Sequence, residues 1–164
     1  MSPRPRPANR ANVKPLSRDR IAEAALAQIS AHGRAVLSMR SLAAELGCEA
    51  MSLYHHTDGV EGVLHAVVDR LLGAIVANRP RTRNPRKALE AYVRSYLSLA
   101  DDYPNAFPLI ATRLWRTPAA LSAASLAIAL LRELGLTPRA AFRQARILGA
   151  YLNGAGLALA AWRS

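Results

Sequence analysis

Apolar residues recur along this chain at intervals of three and four, the period of a helix that buries one face. The first run starts at Ser17 and carries Ile21, Ala24, Ala25 and Ile29 before Gly33 stops it. A second starts at Ser38, whose hydroxyl suits the free N–H groups of a first turn. It continues through Leu42, Ala43 and Leu46 to Gly47, a residue suited to the left-handed position beyond a helix end. Residues 49–56 predict a short third helix. A fourth, capped by Thr57 or Asp58, runs through Val60, Val63, Leu64, Val67, Val68, Leu71, Leu72 and Ile75 to Asn78, ahead of Pro80.

Three later segments share one start signal, a capping side chain followed by proline: Asn84-Pro85, Thr117-Pro118 and Thr137-Pro138. Proline fits the first helical position because its φ is already helical and its missing N–H would have no partner there. The signals predict a helix through Leu89, Tyr92, Val93, Tyr96, Leu97 and Leu99 that stops within 101–104, then helices over 119–134 and 139–162. A short helix or turn covers 106–113. No convincing strand pattern occurs, so the predicted fold class is all-α, with about eight helices. Residues 79–87, RPRTRNPRK, mix proline with basic residues and read as a linker between an amino-terminal unit, 17–78, and a carboxyl-terminal unit, 84–164.

Charge narrows the partners. The formal net charge is +11 over 164 residues, which points to a polyanion, nucleic acid first. In the first twenty residues Arg4, Arg6, Arg10, Lys14, Arg18 and Arg20 face only Asp19, and residues 1–16, broken by Pro3, Pro5, Pro7 and Pro15, read as a disordered basic arm. A single cysteine, Cys48, forms no intramolecular disulfide, and the amino end lacks the apolar core of a secretory signal. The most apolar tract, 147–162, is interrupted by Asn153 and is shorter than the roughly 20 residues a bilayer crossing needs. A cytoplasmic protein without a membrane partner is expected.

The densest pattern is LAAELGCEAMSLYHH, Leu42 to His56. Two helices that cross closely need a small residue at the crossing, a turn residue tolerant of positive φ and a branched anchor on the second helix. Ala43, Gly47 and Leu53 supply these. With them turned inward, Glu49, Ala50, Ser52, Tyr54 and His55 point outward, Met51 is partly exposed, and Cys48 joins the small core as an apolar group. Cys48, His55, His56 and His65 lack the tight spacing of a structural zinc site, so no metal is expected.

The stretch from Arg20 to Asp69, RIAEAALAQISAHGRAVLSMRSLAAELGCEAMSLYHHTDGVEGVLHAVVD, resembles the amino-terminal domain of the TetR/AcrR family of bacterial transcriptional regulators, densest in LSMRSLAAELG and MSLYHH. NPRKALEAYVRSYLSLADDYP and LTPRAAFRQARILGAYLNGAGLAL are similar to helices of that family's carboxyl domain. The resemblance implies a three-helix helix-turn-helix domain, with its motif at 38–57, joined by a long fourth helix to a helical ligand-binding and dimerisation bundle. It also implies a homodimer on a palindromic double-stranded operator, released by a small-molecule effector. By the same resemblance Glu49, Ala50, Met51, Ser52 and His55 lie nearest the bases, Tyr54 and His56 serve phosphate contact and helix packing, and Arg40, with Ser41 beside it, meets the backbone. Two positions depart from the family pattern: Val60 stands where a phosphate-gripping lysine is common, and Glu49 where a neutral residue is common. A carboxylate beside phosphates is unfavourable unless it accepts from a cytosine amino group.

Pockets in helical bundles combine apolar walls with a few polar groups. Residues placed to line one are Tyr92, Tyr96, Tyr103, Phe107, Arg113, Trp115 and Asn153, with His65 and Val68 from the fourth helix; Arg113 or Arg116 would suit a carboxylate or phenolic effector. Small residues at Ala141, Ala145 and Gly149, and at Ala150, Gly154 and Ala158, would let another helix approach closely. The family generally continues for a further helix, so either the dimer rests on 119–134 and 139–162, or it is weakened, or the sequence is a shortened one.

The function expected is a sequence-specific, ligand-responsive regulator, most often a repressor; the alternative is a non-specific or nucleoid-associated basic DNA-binding protein. No P-loop, Gly-rich nucleotide motif, nucleophile elbow or HExxH helix occurs, so neither an enzyme nor a cofactor is expected.

Overall fold

The computed structural model describes residues 15–79, 82–113 and 116–163. Among them, eight α-helices follow one another: α1 Arg18–His32, α2 Met39–Leu46, α3 Ala50–Tyr54, α4 Gly59–Ala77, α5 Pro85–Asp102, α6 Phe107–Ala111, α7 Pro118–Glu133 and α8 Pro138–Arg163. The basic arm expected over 1–16 lies outside the described residues up to position 14, as do Pro80, Arg81, Leu114 and Trp115.

The helices begin where side chains replace missing backbone partners. Ser17 accepts from the Arg20 N–H, Asn84 from the Arg86 and Lys87 N–H groups at 3.0 and 3.2 Å, and Thr117 from the Ala120 N–H. Each such cap is worth about 1 kcal/mol. Two local features differ from expectation. A single 3₁₀ turn, Arg34–Val36, leads into α2, and α3 spans 50–54 rather than 49–56. Helix α3 is short because the His56 and Thr57 N–H groups both fold back on the Leu53 carbonyl, tightening the chain into a turn before α4.

Helix α4 is apolar on most of its surface and is enclosed accordingly. Val63, Leu64, Val67 and Val68 are fully buried, and Leu71, Leu72 and Ile75 nearly so. Such side chains contribute about 1.5–3 kcal/mol each when removed from water. Helices α1 and α7 make the most extensive packing on α4, with α5 and α6 also touching it, while α8 packs on α5, α6 and α7. One continuous apolar cluster therefore runs from Ile21 in α1 to Ala160 in α8. No helix among the described residues is long and apolar enough to cross a membrane.

Helices α6 and α8 meet closely at Phe107 and Gly156. A Cβ built on Gly156 would overlap the ring of Phe107, which is fully buried. We predict that Gly156→Ala lowers stability by about 1–3 kcal/mol in denaturant unfolding. Adding Phe107→Leu should recover part of that loss relative to the sum of the two single changes, and strict additivity would contradict the contact.

Candidate nucleic-acid interface

The α2–turn–α3 unit is fixed by a few inward residues. Leu42 and Leu53 are fully buried and Ala43 nearly so. Between the helices Gly47 adopts φ 67° and ψ 36°, the left-handed conformation in which a Cβ costs about 1–2 kcal/mol. The Cys48 N–H then donates to the Ala43 carbonyl at 3.0 Å, closing the end of α2.

At the start of α2, Ser38 Oγ accepts from the Ser41 N–H and Ser41 Oγ accepts from the Ser38 N–H, both at 3.0 Å. Ser41 Oγ also lies 3.1 Å from Gln28 Oε1, tying α2 to α1. The hydroxyl of Ser41, expected among the DNA-contacting side chains, is engaged within the protein, because position 41 faces both the cap and α1. Cys48 is half-buried rather than enclosed, lying against the core at the rim of the turn.

With Leu53 buried, the rest of α3 and its flanks face outward. Met51 is 70% and Tyr54 51% exposed; Glu49, His55, His56 and Arg40 are exposed, while Ala50 and Ser52 are half-buried. These residues lie on α3, its flanks and the first turn of α2. The Tyr54 ring lies over Gly59 at the start of α4, and the half-buried Val60 packs on the core where the resemblance leads one to expect a phosphate-gripping lysine.

The carboxyl-terminal candidates separate into two places. Tyr92, Tyr96 and Asn153 meet at a half-open cavity of about 450 Å³ lined by α5, α7 and α8, with Leu72 of α4. There Tyr96 Oη donates to Asn153 Oδ1 at 2.7 Å and Tyr92 Oη to the Ala123 carbonyl at 3.3 Å. Burial pushes the Tyr92 hydroxyl up to about 12 and raises that of Tyr96 further, so both stay protonated at neutral pH. His65 and Arg113 instead line a polar cleft of about 350 Å³, together with Arg18, Asp69, Arg116 and Thr117.

Three of the expected pocket residues line neither space. Phe107 and Val68 are fully buried as core, and Phe107 meets the Tyr96 ring edge-on at 6.1 Å. Tyr103 serves the backbone: its N–H closes α5 on the Leu99 carbonyl, and its own carbonyl accepts from Ala106 and Phe107. Trp115 lies outside the described residues. Residues the sequence did not single out take their places, notably Phe142 and Arg146 of α8 and the alanines of α7. The available signal was the opposition of small residues on α7 and α8, which leaves space between two helices.

Charged side chains cross between the helices of the two ends. Asp69 of α4 accepts from the Ala119 N–H at the start of α7 at 3.0 Å and lies 3.9 Å from Arg18 of α1. Glu61 of α4 takes Arg113 at 3.0 Å and Arg34 at 3.6 Å. The Arg113 hydrogen bond, with the nearby charge of Arg34 and His65, holds the Glu61 carboxyl below its ordinary range. These groups are solvent-accessible, so the pairs orient more than they stabilise.

No family model matches the chain. The HTH-type transcriptional repressor DrrR1 of Streptomyces coeruleorubidus is 33% identical over 148 residues, which span 85% of this chain and 52% of that protein. An HTH-type transcriptional regulator of Saccharopolyspora erythraea is 31% identical over 162 residues, 96% of this chain and 67% of that protein. Among solved structures, the TetR family protein ActR of Streptomyces coelicolor, in complex with actinorhodin, superposes with a TM-score of 0.78 at 26% identity, covering 89% of this chain and 68% of that one. The chain thus spans about half the length of the first relative and about two thirds of the second.

Ser41→Ala removes the return half of the cap, the bond from the Ser38 N–H, and the tie to Gln28 together, while Ser38 Oγ keeps the backbone N–H of position 41. It should lower the unfolding free energy by about 1–2 kcal/mol in thermal or denaturant melts. A change below a few tenths of a kcal/mol would show that the Ser41 hydroxyl does not hold α2.

Proposed function

The chain belongs to the TetR family of HTH-type transcriptional regulators, and we propose that it is a sequence-specific regulator. In this reading it is a repressor, released from a palindromic operator when a small molecule enters the cavity between α5, α7 and α8. The observation that carries this reading is the exposed α3 surface, presented on a frame of buried Ala43 and Leu53 and the left-handed Gly47. A short helix held this way by its own core can enter a major groove without rearrangement.

The roles follow from exposure and chemistry. Glu49, Ala50, Met51, Ser52 and His55 face base edges, while Arg40, Tyr54 and His56 flank them at the phosphates; Ser41 acts indirectly, by fixing the start of α2. A net charge of +11 supplies the sequence-independent part of affinity through counterion release. Glu49 is the exception, an exposed carboxylate near phosphates. It is tolerated where it accepts from a cytosine amino group and is repelled elsewhere, so it narrows the operators accepted.

A second copy of the chain is the partner we assign to the outer face of α8. Ile147, Tyr151 and Trp162 are 61%, 66% and 94% exposed there, on the helix face that also carries Gly154 and Ala158. Water-exposed apolar side chains flanking small residues suit close helix–helix packing, and a twofold pair places two α3 helices on successive faces of a duplex about 34–36 Å apart. Release then works through α4. A ligand between α7 and α8 displaces α7, whose first turn is hydrogen-bonded to Asp69 of α4, and α4 leads directly back to α3. The actinorhodin complex of ActR supports a ligand-responsive reading, since that structural relative holds a small molecule.

Selection of bound duplexes from a random pool tests the proposal. It should enrich a twofold-symmetric sequence with half-sites about one helical turn apart. Glu49→Gln should relax the preference at one cytosine-containing step by about 1–3 kcal/mol. No enrichment, or a motif without symmetry, would contradict a specific dimeric regulator and leave non-specific binding. Tyr151→Glu should convert the protein to monomers in sedimentation while leaving the melting temperature of the monomeric fold nearly unchanged; a dimer that survives it would remove the α8 face from the interface.

A further inference from the structure

We propose that the cavity between α5, α7 and α8 selects an amphipathic organic acid, its carboxylate or sulfonate paired with Arg146 and a carbonyl or hydroxyl oxygen bound by Asn153. The inference rests on the reading of this cavity as the effector site and adds the chemical class. Its walls are apolar, with Leu72, Ile128 and Leu152 among them, and are set back by small residues such as Ala124 and Gly149. About 450 Å³ suits a ligand of several hundred daltons.

Charge decides between ligand classes. Among the described residues Arg146 is the one charged residue lining the cavity, and there it is exposed and forms no ion pair. No carboxylate lines the space, and both tyrosine hydroxyls remain protonated because burial disfavours their anions. A cationic ligand would meet like charge and lose its hydration without a partner, whereas an acid finds a guanidinium whose forked donors match its oxygens.

The interior polar groups fix the second contact. The Tyr92 proton goes to the Ala123 carbonyl and the Tyr96 proton to Asn153 Oδ1. That leaves the Asn153 Nδ2 hydrogens as donors toward the cavity, so the ligand presents an acceptor to them. Arg146 and Asn153 stand seven residues apart on one face of α8, two turns or roughly 10 Å along the axis. The acid and the acceptor of the ligand are therefore separated by an apolar framework of similar length.

Fluorescence titration of the full chain with two probes that share a ring system tests this: anilinonaphthalene sulfonate, an anion, and phenylnaphthylamine, which is uncharged. Arg146→Ala should weaken the sulfonate probe about tenfold, the size of one charge-assisted hydrogen bond, and leave the neutral probe unchanged. Arg146→Lys should retain most of the sulfonate affinity. Displacement of the sulfonate probe by decanoate carrying a ketone on its penultimate carbon should exceed that by plain decanoate about fivefold, and Asn153→Leu should erase the difference.

Ala124→Trp and, independently, Ile128→Trp fill the cavity and should abolish binding of both probes, which separates the cavity from the exposed face of α8. If both probes are lost on filling but respond equally to Arg146→Ala, acid recognition is wrong while the cavity reading stands. If neither cavity-filling variant affects either probe, the effector-site reading falls, and the inference with it.

Discussion

The enclosure of α4 sets the terms for the rest of the molecule. A helix with Val63, Leu64, Val67 and Val68 fully buried, and Leu71, Leu72 and Ile75 nearly so, needs apolar partners around most of its circumference. No single neighbour covers that much surface, so α1 and α7 share most of it, with α5 and α6 alongside. The small core beneath α2 and α3 is thereby continuous with the bundle core that ends at Ala160. The position of α3 is not independent of the bundle, which is what the proposed coupling of ligand to DNA requires.

Polar contacts add direction to that apolar linkage. Asp69 holds the first turn of α7 and faces Arg18 of α1, while Glu61 joins Arg113 to Arg34. Exposed pairs of this kind contribute little to stability. Their value lies in registration: a shift of α7 relative to α4 must break or carry the Asp69 contact, and carrying it moves the helix that follows α3. The cavity that would drive such a shift is bounded by α7 itself, through Ala123 and Ala124.

Local chemistry was the legible part of the sequence. Ser17, Ser38, Asn84 and Thr117 announced helix starts, and Gly47 announced the turn, because each acts on atoms only a few residues away. Ala43, Gly47 and Leu53 were readable as a frame for the same reason. What depends on the meeting of distant helices was not. Arg113 and His65 were grouped with Tyr92 and Tyr96, yet the packing sends them to a separate cleft. Phe107 read as a pocket aromatic and is instead core against Gly156. The engagement of the Ser41 hydroxyl by Ser38 and Gln28 was equally unread, since Gln28 comes from another helix. Arg146 gave no signal, since one arginine among several on α8 acquires meaning only from the cavity beside it.

The claim that α4 makes one cooperative unit of the two ends is tested most directly by native-state hydrogen exchange along a denaturant series. The account predicts that the slowest amides of α1 and α2 and those of α5, α7 and α8 lose protection together, with the same dependence on denaturant, because no end can open without exposing α4. Loss of protection in α1 and α2 at a distinctly lower denaturant concentration, with α5 to α8 still closed, would contradict it.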